Sequence, residues 1–279
     1  NTLALFKTFL INRDQASVTE SVSTAPGVFF QNFTASNAAF LHLVAGITTQ
    51  AESGAVNIAS YTDDYDAEIR QGNGGYSGSG SAPDIGADEF SGVAADLTGP
   101  AISYTPFANS SCTTDITVSA TITDLSGVNV LPMTKPRLYF KKTGDANTYA
   151  GNTSADNGWK YVEATNAVSP FTFTTNYALL QSAVVTTDVI QYFIVAQDLA
   201  TPNVGINSGI FNAAPTSVAL VAGNFPITGT INSYTIVAAG LSGAVTVGAA
   251  GTYSSLTGAA GLFNAINTSG MSSSVLVQL

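Results

Sequence analysis

The stretch Ile116-Thr117-Val118-Ser119-Ala120-Thr121-Ile122 alternates apolar and small polar residues without a break. Because successive side chains of a strand point to opposite faces, this alternation predicts a half-buried β-strand. The same period returns at Leu138, Phe171 and Ile190, each of which follows a proline or an aspartate within two residues. The region from Thr114 to Asp198 therefore predicts one antiparallel β-sandwich, to which the rest of the chain is attached.

The composition limits the classes of function. Charged residues make up only 9% of the 279 residues and hydrophobic residues 45%, which suits a β-rich protein and not a disordered one. The net charge of −10 argues against a nucleic-acid partner, because phosphate binding depends on Lys and Arg. Cys112 is the only cysteine, which excludes an intrachain disulfide and a cysteine-based metal site. No apolar run is long enough to cross a bilayer, so we expect no membrane insertion.

Three parts are expected along the chain, which is predicted to be all-β. Residues 1–95 contain short apolar bursts separated by Asn, Ser and Gly, and these bursts predict the stacked strands of a solenoid. Residues 96–228 hold about seven strands between turn clusters, the pattern of an immunoglobulin-like or fibronectin III-like sandwich. Residues 229–279 have the order strand, loop, helix, strand, with the helix over Thr257–Ile266. Because both ends of the chain fall within structured-looking sequence, we expect it to be a piece of a longer polypeptide. The strands expected in the sandwich are Ala101–Thr105, Asp115–Thr123, Arg137–Lys142, Trp159–Ala164, Pro170–Thr175, Val189–Gln197 and Ser217–Val221.

Three quoted segments carry a resemblance to known proteins. The residues Thr62-Asp63-Asp64-Tyr65-Asp66, followed by Arg70-Gln71-Gly72-Asn73 and by Asp84-Ile85-Gly86-Ala87-Asp88-Glu89-Phe90, resemble the C-terminal end of right-handed parallel β-helix domains. Such domains occur in large secreted proteins of Bacteroidetes-type bacteria. The resemblance covers roughly residues 40–90 and implies that residues 1–95 are the last rungs of such a helix.

The sandwich and the last segment carry related resemblances. The phrases Thr123-Asp124-Leu125-Ser126-Gly127-Val128 and Tyr192-Phe193-Ile194-Val195-Ala196-Gln197-Asp198 resemble the Ig-like repeats of giant Bacteroidetes surface proteins. Residues 229–279 resemble the N-terminal cap and first rung of a following β-helix. The resemblance thus implies a sandwich flanked by partial parallel β-helices.

An acidic set offers a possible calcium site. Carboxylate oxygens are the ligands that Ca²⁺ prefers, but the spacing does not fit an EF-hand loop. The alternative is that these side chains accept hydrogen bonds from local backbone N–H groups and cap turns. The candidate ligands are Asp63, Asp64, Asp66, Asp84, Asp88 and Glu89.

A second candidate site lies in the strand Arg137–Lys142. Alternation places Arg137, Tyr139 and Lys141 on one face, opposite Leu138 and Phe140, and predicts that this face points outward. This face could bind a surface glycan or a neighbouring domain. Alternatively, it is a solvated face, or its charges prevent an exposed strand edge from pairing with another chain. His42, the only histidine, is expected to be a rung residue, and no nucleophile motif accompanies it.

These observations favour a non-catalytic role. The low charge, the modular order and the lack of an assembled catalytic set indicate a structural or adhesive segment, with the sandwich as a spacer between solenoids. The resemblance adds an extracellular, bacterial cell-surface setting, as in adhesins, including gliding adhesins, with adjacent repeats and like chains in a fibre as partners. The alternative is a carbohydrate-binding or accessory module of a β-helix polysaccharide-degrading enzyme.

Overall fold

A computed structural model describes residues 2–10, 13, 15–200, 203–269 and 271–279, and within them the chain is an all-β protein with two short α-helices. The predicted fold class is confirmed at this level. The chain divides into two compact units, residues 1–96 and 97–279. In chain order the elements are α1 (Leu3–Phe9), β1 (Thr48–Thr49), β2 (Val93–Ala94), β3 (Ala101–Ser103), β4 (Thr117–Thr123), β5 (Arg137–Lys142), β6 (Lys160–Glu163), β7 (Phe171–Thr174), β8 (Val189–Gln197), β9 (Val204–Ile206), β10 (Asn232–Thr235), β11 (Leu241–Thr246), α2 (Leu262–Ser269) and β12 (Met271–Gln278).

The second unit contains the predicted antiparallel sandwich. Its first sheet has the strand order β3-β4-β7, and its second sheet has the order β10-β8-β5-β6, with β9 also paired to β8. Strand β4 alternates between exposed and buried side chains along its whole length, as the opening stretch of sequence predicts. The buried residues of β4 pack against apolar side chains of the second sheet and form the core between the two layers.

The second sheet is buried on both faces, which the sequence analysis did not predict. Five of the six residues of β5 are buried, and so are seven of the nine residues of β8. The outer face of this sheet packs against an irregular segment, residues 207–231, which we call the outer layer. This second core contains Tyr139, Trp159, Phe193, Val195, Val218, Leu220, Phe225 and Ile227.

Two predictions are wrong because of this outer layer. The predicted strand Ser217–Val221 does not form; its residues belong to the covering segment. Arg137, Tyr139 and Lys141 do share one face of β5, but this face points into the second core and not outward, and the three residues are 5%, 0% and 3% exposed.

The last segment begins later than predicted. Residues 232–235 pair with β8 as the edge strand of the second sheet, so a boundary at residue 228 cuts the sandwich. Beyond it, β11 and β12 pair in parallel, and α2 lies between them in the chain. The predicted order of strand, loop, helix and strand is therefore present, with the helix starting five residues later than expected.

The first unit is built mainly from turns. Its described strands are β1 and β2, which pair in parallel over two residues each, together with isolated bridges such as Phe30 with Leu43. Residues 3–9, which lie in the predicted solenoid, form the helix α1 instead, and Thr2 caps it by accepting a hydrogen bond from the Leu5 amide. The parallel β-helix implied by the resemblance stays a prediction.

Candidate metal-binding cluster and carboxylate network

Buried carboxylates hold the turns of the first unit together. The two oxygens of Asp84 accept hydrogen bonds from the backbone amides of Ser53 and Phe90, at 2.6 and 2.8 Å. Asp84 is 1% exposed. It therefore links two segments that are more than 30 residues apart, in a unit with little regular backbone pairing.

Glu89 is the second centre of this network. Its carboxylate accepts hydrogen bonds from the backbone amides of Gln71 and Asp84, both at 3.0 Å. The guanidinium of Arg70 lies 3.4 Å from the same carboxylate and donates to the carbonyls of Asp84 and Gly86. An arginine is thus surrounded by acceptors whose positions the turns fix.

Two further acidic residues complete the carboxylate network. Asp64 accepts from the amides of Asp66, Glu68 and Glu89. Glu52, which is 4% exposed, accepts from the Gly92 amide at 2.6 Å. The expectation that acidic side chains cap turns is therefore confirmed for Asp64, Asp84 and Glu89, whose oxygens are already used by backbone donors.

The concentration of buried carboxylates changes the acidity of one of them. Burial raises the pKa of Asp84 from 3.8 to about 6. The nearby charges of Glu52 and Glu89 also raise this pKa, whereas the hydrogen bonds from the Phe90 and Ser53 amides oppose the rise. Asp84 thus titrates about two pH units above an ordinary aspartate.

A separate cluster forms around the only histidine. His42 Nε2 lies 3.0 Å from Asp66 Oδ2, and His42 Nδ1 lies 3.9 Å from Asp88 Oδ1. One ligand atom from each of the three residues lies within 4.8 Å of the other two. Of the six predicted calcium ligands, the structure brings only Asp66 and Asp88 into this cluster, while Asp63 is exposed outside it.

Local structure fixes the positions of the three side chains. The other oxygen of Asp88 accepts a hydrogen bond from the Leu43 amide at 2.8 Å, which orients Oδ1 towards the histidine. Asp66 lies in a turn whose next residue, Ala67, has a φ of 66°. The cluster borders a cavity of about 340 Å³, which Asn37, Phe40 and Tyr65 also line.

Sequence reasoning placed His42 on a rung and missed this cluster. Asp66 and Asp88 lie 24 and 46 residues further along the chain, and no local motif relates them to the histidine. The sequence contained one indication of this cluster: the single histidine lies in the same part of the chain as the acidic set.

The predicted surface on β5 is an internal site. Arg137 forms an ion pair with Glu163 at 2.9 Å, and its guanidinium carbon lies 4.0 Å from the centre of the Tyr161 ring. Lys141 donates to the carbonyls of Lys142 at the end of β5 and of Thr143 and Asp145 in the turn that follows, and burial lowers its pKa. Burial raises the pKa of Tyr139 to about 12, so this hydroxyl keeps its proton and can donate.

Comparison with known proteins identifies no relative: neither a protein-family model nor a curated protein sequence matches the chain. Neither helix of the described residues has the length and apolar character that crossing a bilayer requires.

Proposed function

We propose that this chain is a non-catalytic structural segment of a large, repetitive extracellular surface protein, and that its sandwich is a spacer that carries tension. The observation that supports this best is the pairing between the segment that follows β3 and the last segment of the sandwich. We call residues 104–110 and 232–237 together the terminal clamp.

The terminal clamp joins the two segments in parallel. Ser110 bridges to Ile236: the Ser110 amide donates to the Thr235 carbonyl at 3.1 Å, and the Val237 amide donates to the Ser110 carbonyl at 2.9 Å. The side chain of Asn109 adds a third bond by accepting from the Thr235 amide at 2.9 Å. These bonds connect the segment that follows β3 with the segment where the sandwich ends.

Side-chain contacts extend the terminal clamp along its length. Asn232 donates from its amide nitrogen to the hydroxyl of Tyr104 at 2.7 Å. The ring of Phe107 packs on the rings of Tyr192 and Tyr234, with centroids 5.0 and 5.1 Å away. Polar and apolar contacts thus alternate along the pairing.

This arrangement determines how the sandwich responds to a pull on its two ends. The paired segments run in the same direction, so pulling the N-terminal side backwards and the C-terminal side forwards slides one segment along the other. All the hydrogen bonds between them are then loaded together and cannot open one at a time. A spacer between segments of a fibre needs this resistance.

The use of charged side chains also supports a structural role. Of the five Lys and Arg residues in the second unit, four contact acceptors within the chain: Arg137, Lys141, Lys142 and Lys160. Lys142 pairs with Asp188 at 2.7 Å, and Lys160 donates to the Asp156 carbonyl at 2.6 Å. These cations stabilise loops and are not presented to a ligand.

The setting of the proposed spacer comes from the resemblance. The Bacteroidetes-type surface protein, its adhesive role and its partners, namely adjacent repeats and like chains, are proposals that rest on the quoted segments. Parallel pairing in β1–β2 and in β11–β12 is compatible with flanking solenoids. The carbohydrate-binding alternative relied on an exposed face formed by Arg137, Tyr139 and Lys141. These residues are buried, so the face is not available to a glycan.

Single-molecule force spectroscopy of the full chain tests the proposal. We expect a distinct unfolding event that releases the residues enclosed by Ser110 and Ile236, roughly 400–450 Å of chain at about 3.3–3.6 Å per residue. Replacing Ser110→Pro removes one of the clamp bonds and should lower the unfolding force.

Asn166→Ala is the matched control. This side chain makes three hydrogen bonds in the loop before β7, to Val168, Pro170 and Thr172, away from the terminal clamp. It should lower thermal stability while leaving the unfolding force unchanged. A wild-type sandwich that opens without measurable resistance, or two variants that weaken it equally, would contradict the proposal.

A further inference from the structure

We propose that His42, Asp66 and Asp88 bind one divalent transition-metal ion of the zinc class. This site lies in the first unit, whereas the terminal clamp lies in the second, so the inference goes beyond the proposed spacer function. The result of a zinc-binding experiment does not depend on whether the spacer function is correct.

The distances suit a single ion. Zinc binds imidazole nitrogen and carboxylate oxygen at about 2.0–2.2 Å, so ligand atoms of one ion lie roughly 3–4 Å apart. His42 Nε2 and Asp66 Oδ2 are 3.0 Å apart, and the ligand atoms of all three residues fall within 4.8 Å of one another. Asp88 Oδ1 faces the other ring nitrogen, Nδ1, at 3.9 Å, so binding of one ion at Nε2 requires the Asp88 side chain or the imidazole ring to turn.

The donor set selects the class of metal. Imidazole suits zinc and its transition-metal neighbours, whereas calcium prefers six to eight oxygen ligands. The carboxylates that could complete an oxygen shell are used elsewhere: those of Asp64, Asp84 and Glu89 accept hydrogen bonds from backbone amides. Three protein ligands would leave a coordination position for water, and all three residues line the same cavity.

Charge favours a cation at this place. The first unit contains eleven acidic and three basic residues, a net charge of −8 out of the −10 of the whole chain. Arg70 already pairs with Glu89. A dication bound by two carboxylates and a neutral imidazole forms a locally neutral group, so binding relieves repulsion within the unit.

An ion here would connect three loops that have little backbone pairing. His42 lies next to the bridged residue Leu43, Asp66 lies in the turn after Asp64, and Asp88 lies in the closing acidic motif. Binding to the folded state alone adds to its stability by mass action. The metal would therefore cross-link the turns of the first unit.

Titration of the tag-free full chain with ZnCl₂, followed by imidazole ¹H–¹⁵N NMR, tests the site directly, since the only histidine gives the only imidazole signals. We expect one equivalent of Zn²⁺ to shift the His42 ring resonances and to raise the unfolding temperature of the first unit. CaCl₂ at the same concentration should do neither. Zinc without effect on the ring, or calcium that competes equally, would overturn the proposal.

Variants assign the ligands. His42→Gln and Asp66→Asn should each weaken zinc binding by about tenfold or more in calorimetry, because each removes a ligand. Asp63→Asn removes a nearby exposed carboxylate outside the cluster and should bind as the wild type does. Asp66→Asn also covers the case in which His42→Gln misfolds, since the side chain of Asp66 is partly exposed. Wild-type affinity in Asp66→Asn, with a wild-type amide spectrum, would refute the assignment.

Discussion

The hydroxyl of Tyr139 donates a hydrogen bond to the carbonyl oxygen of Val218, 2.8 Å away, across the outer face of the second sheet. The same hydroxyl accepts a hydrogen bond from the Leu220 amide at 3.0 Å. One side chain of β5 thus satisfies two buried backbone groups of the outer layer. Its ring stacks on Phe193 with centroids 5.3 Å apart.

Tyr139→Phe should destabilise the sandwich by about 1–3 kcal/mol, because it removes two buried hydrogen bonds and leaves the Val218 carbonyl and the Leu220 amide only their 3.0 Å bond to each other. Chemical denaturation measures the loss. Tyr161→Phe is the matched control, since within the described residues the Tyr161 hydroxyl makes no hydrogen bond while its ring covers Arg137. Equal stability of the two variants would show that the outer layer does not depend on this hydroxyl.

Asn147 holds the outer layer through its contacts with Ile227 and should be sensitive to substitution. Its carbonyl oxygen accepts from Trp159 Nε1 at 2.8 Å and from the Ile227 amide at 3.1 Å, and its nitrogen donates to the Ile227 carbonyl at 2.8 Å. Asn147→Ala should cost about 2–4 kcal/mol and shift the fluorescence of Trp159, the only tryptophan, to longer wavelength. Asn212→Ala, which loses one exposed bond, should change neither signal appreciably.

Gly205→Ala should disrupt the contact between β9 and the start of β3. A Cβ at this position would lie 2.1 Å from the Pro100 carbonyl oxygen, a backbone atom that cannot turn aside. We expect a loss of about 1–3 kcal/mol or more in the free energy of unfolding. Gly144→Ala has open space around its Cβ and should be neutral, so a neutral Gly205→Ala would contradict this packing.

The stability of the first unit should depend on pH through the titration of Asp84. Its pKa is about 6 in the folded state and near 3.8 when unfolded. Between these values the unfolded state has lost the proton that the folded state keeps, so stability falls as pH rises from about 4 to about 6. The full effect is roughly 2–3 kcal/mol at about 1.4 kcal/mol per pKa unit.

Hydrogen exchange of the first-unit amides at pH 4 and pH 7 measures this effect. Asp84→Asn removes the titrating group and should flatten the dependence, whatever the substitution itself costs. An unchanged slope in Asp84→Asn would mean that another group is responsible.

The sequence predicted the strands whose two faces differ. Strand β4 has one apolar and one polar face, so its period of two was visible and its burial follows it. Strand β8 has apolar residues on both faces, and Phe193 and Val195 between the predicted inward positions were the signal that a second layer covers it. Reading only the alternation assigned Tyr139 and its neighbours to solvent.

The candidate site was less predictable, because it depends on distant contacts. The capping role of Asp84 and Glu89 followed from ordinary turn chemistry. The meeting of His42 with Asp66 and Asp88 depends on how three irregular loops pack, and no periodic pattern determines that packing.

The outward face of the first sheet is polar but uncharged. The outward residues of β4 and β7 are hydroxyl-bearing: Thr117 contacts Thr174 at 3.0 Å, and Ser119 contacts Thr172 at 3.4 Å. Neutral hydroxyl groups carry no charge that dissolved salt could screen. Water would therefore wet this face of the sandwich equally in a dilute stream and in brine.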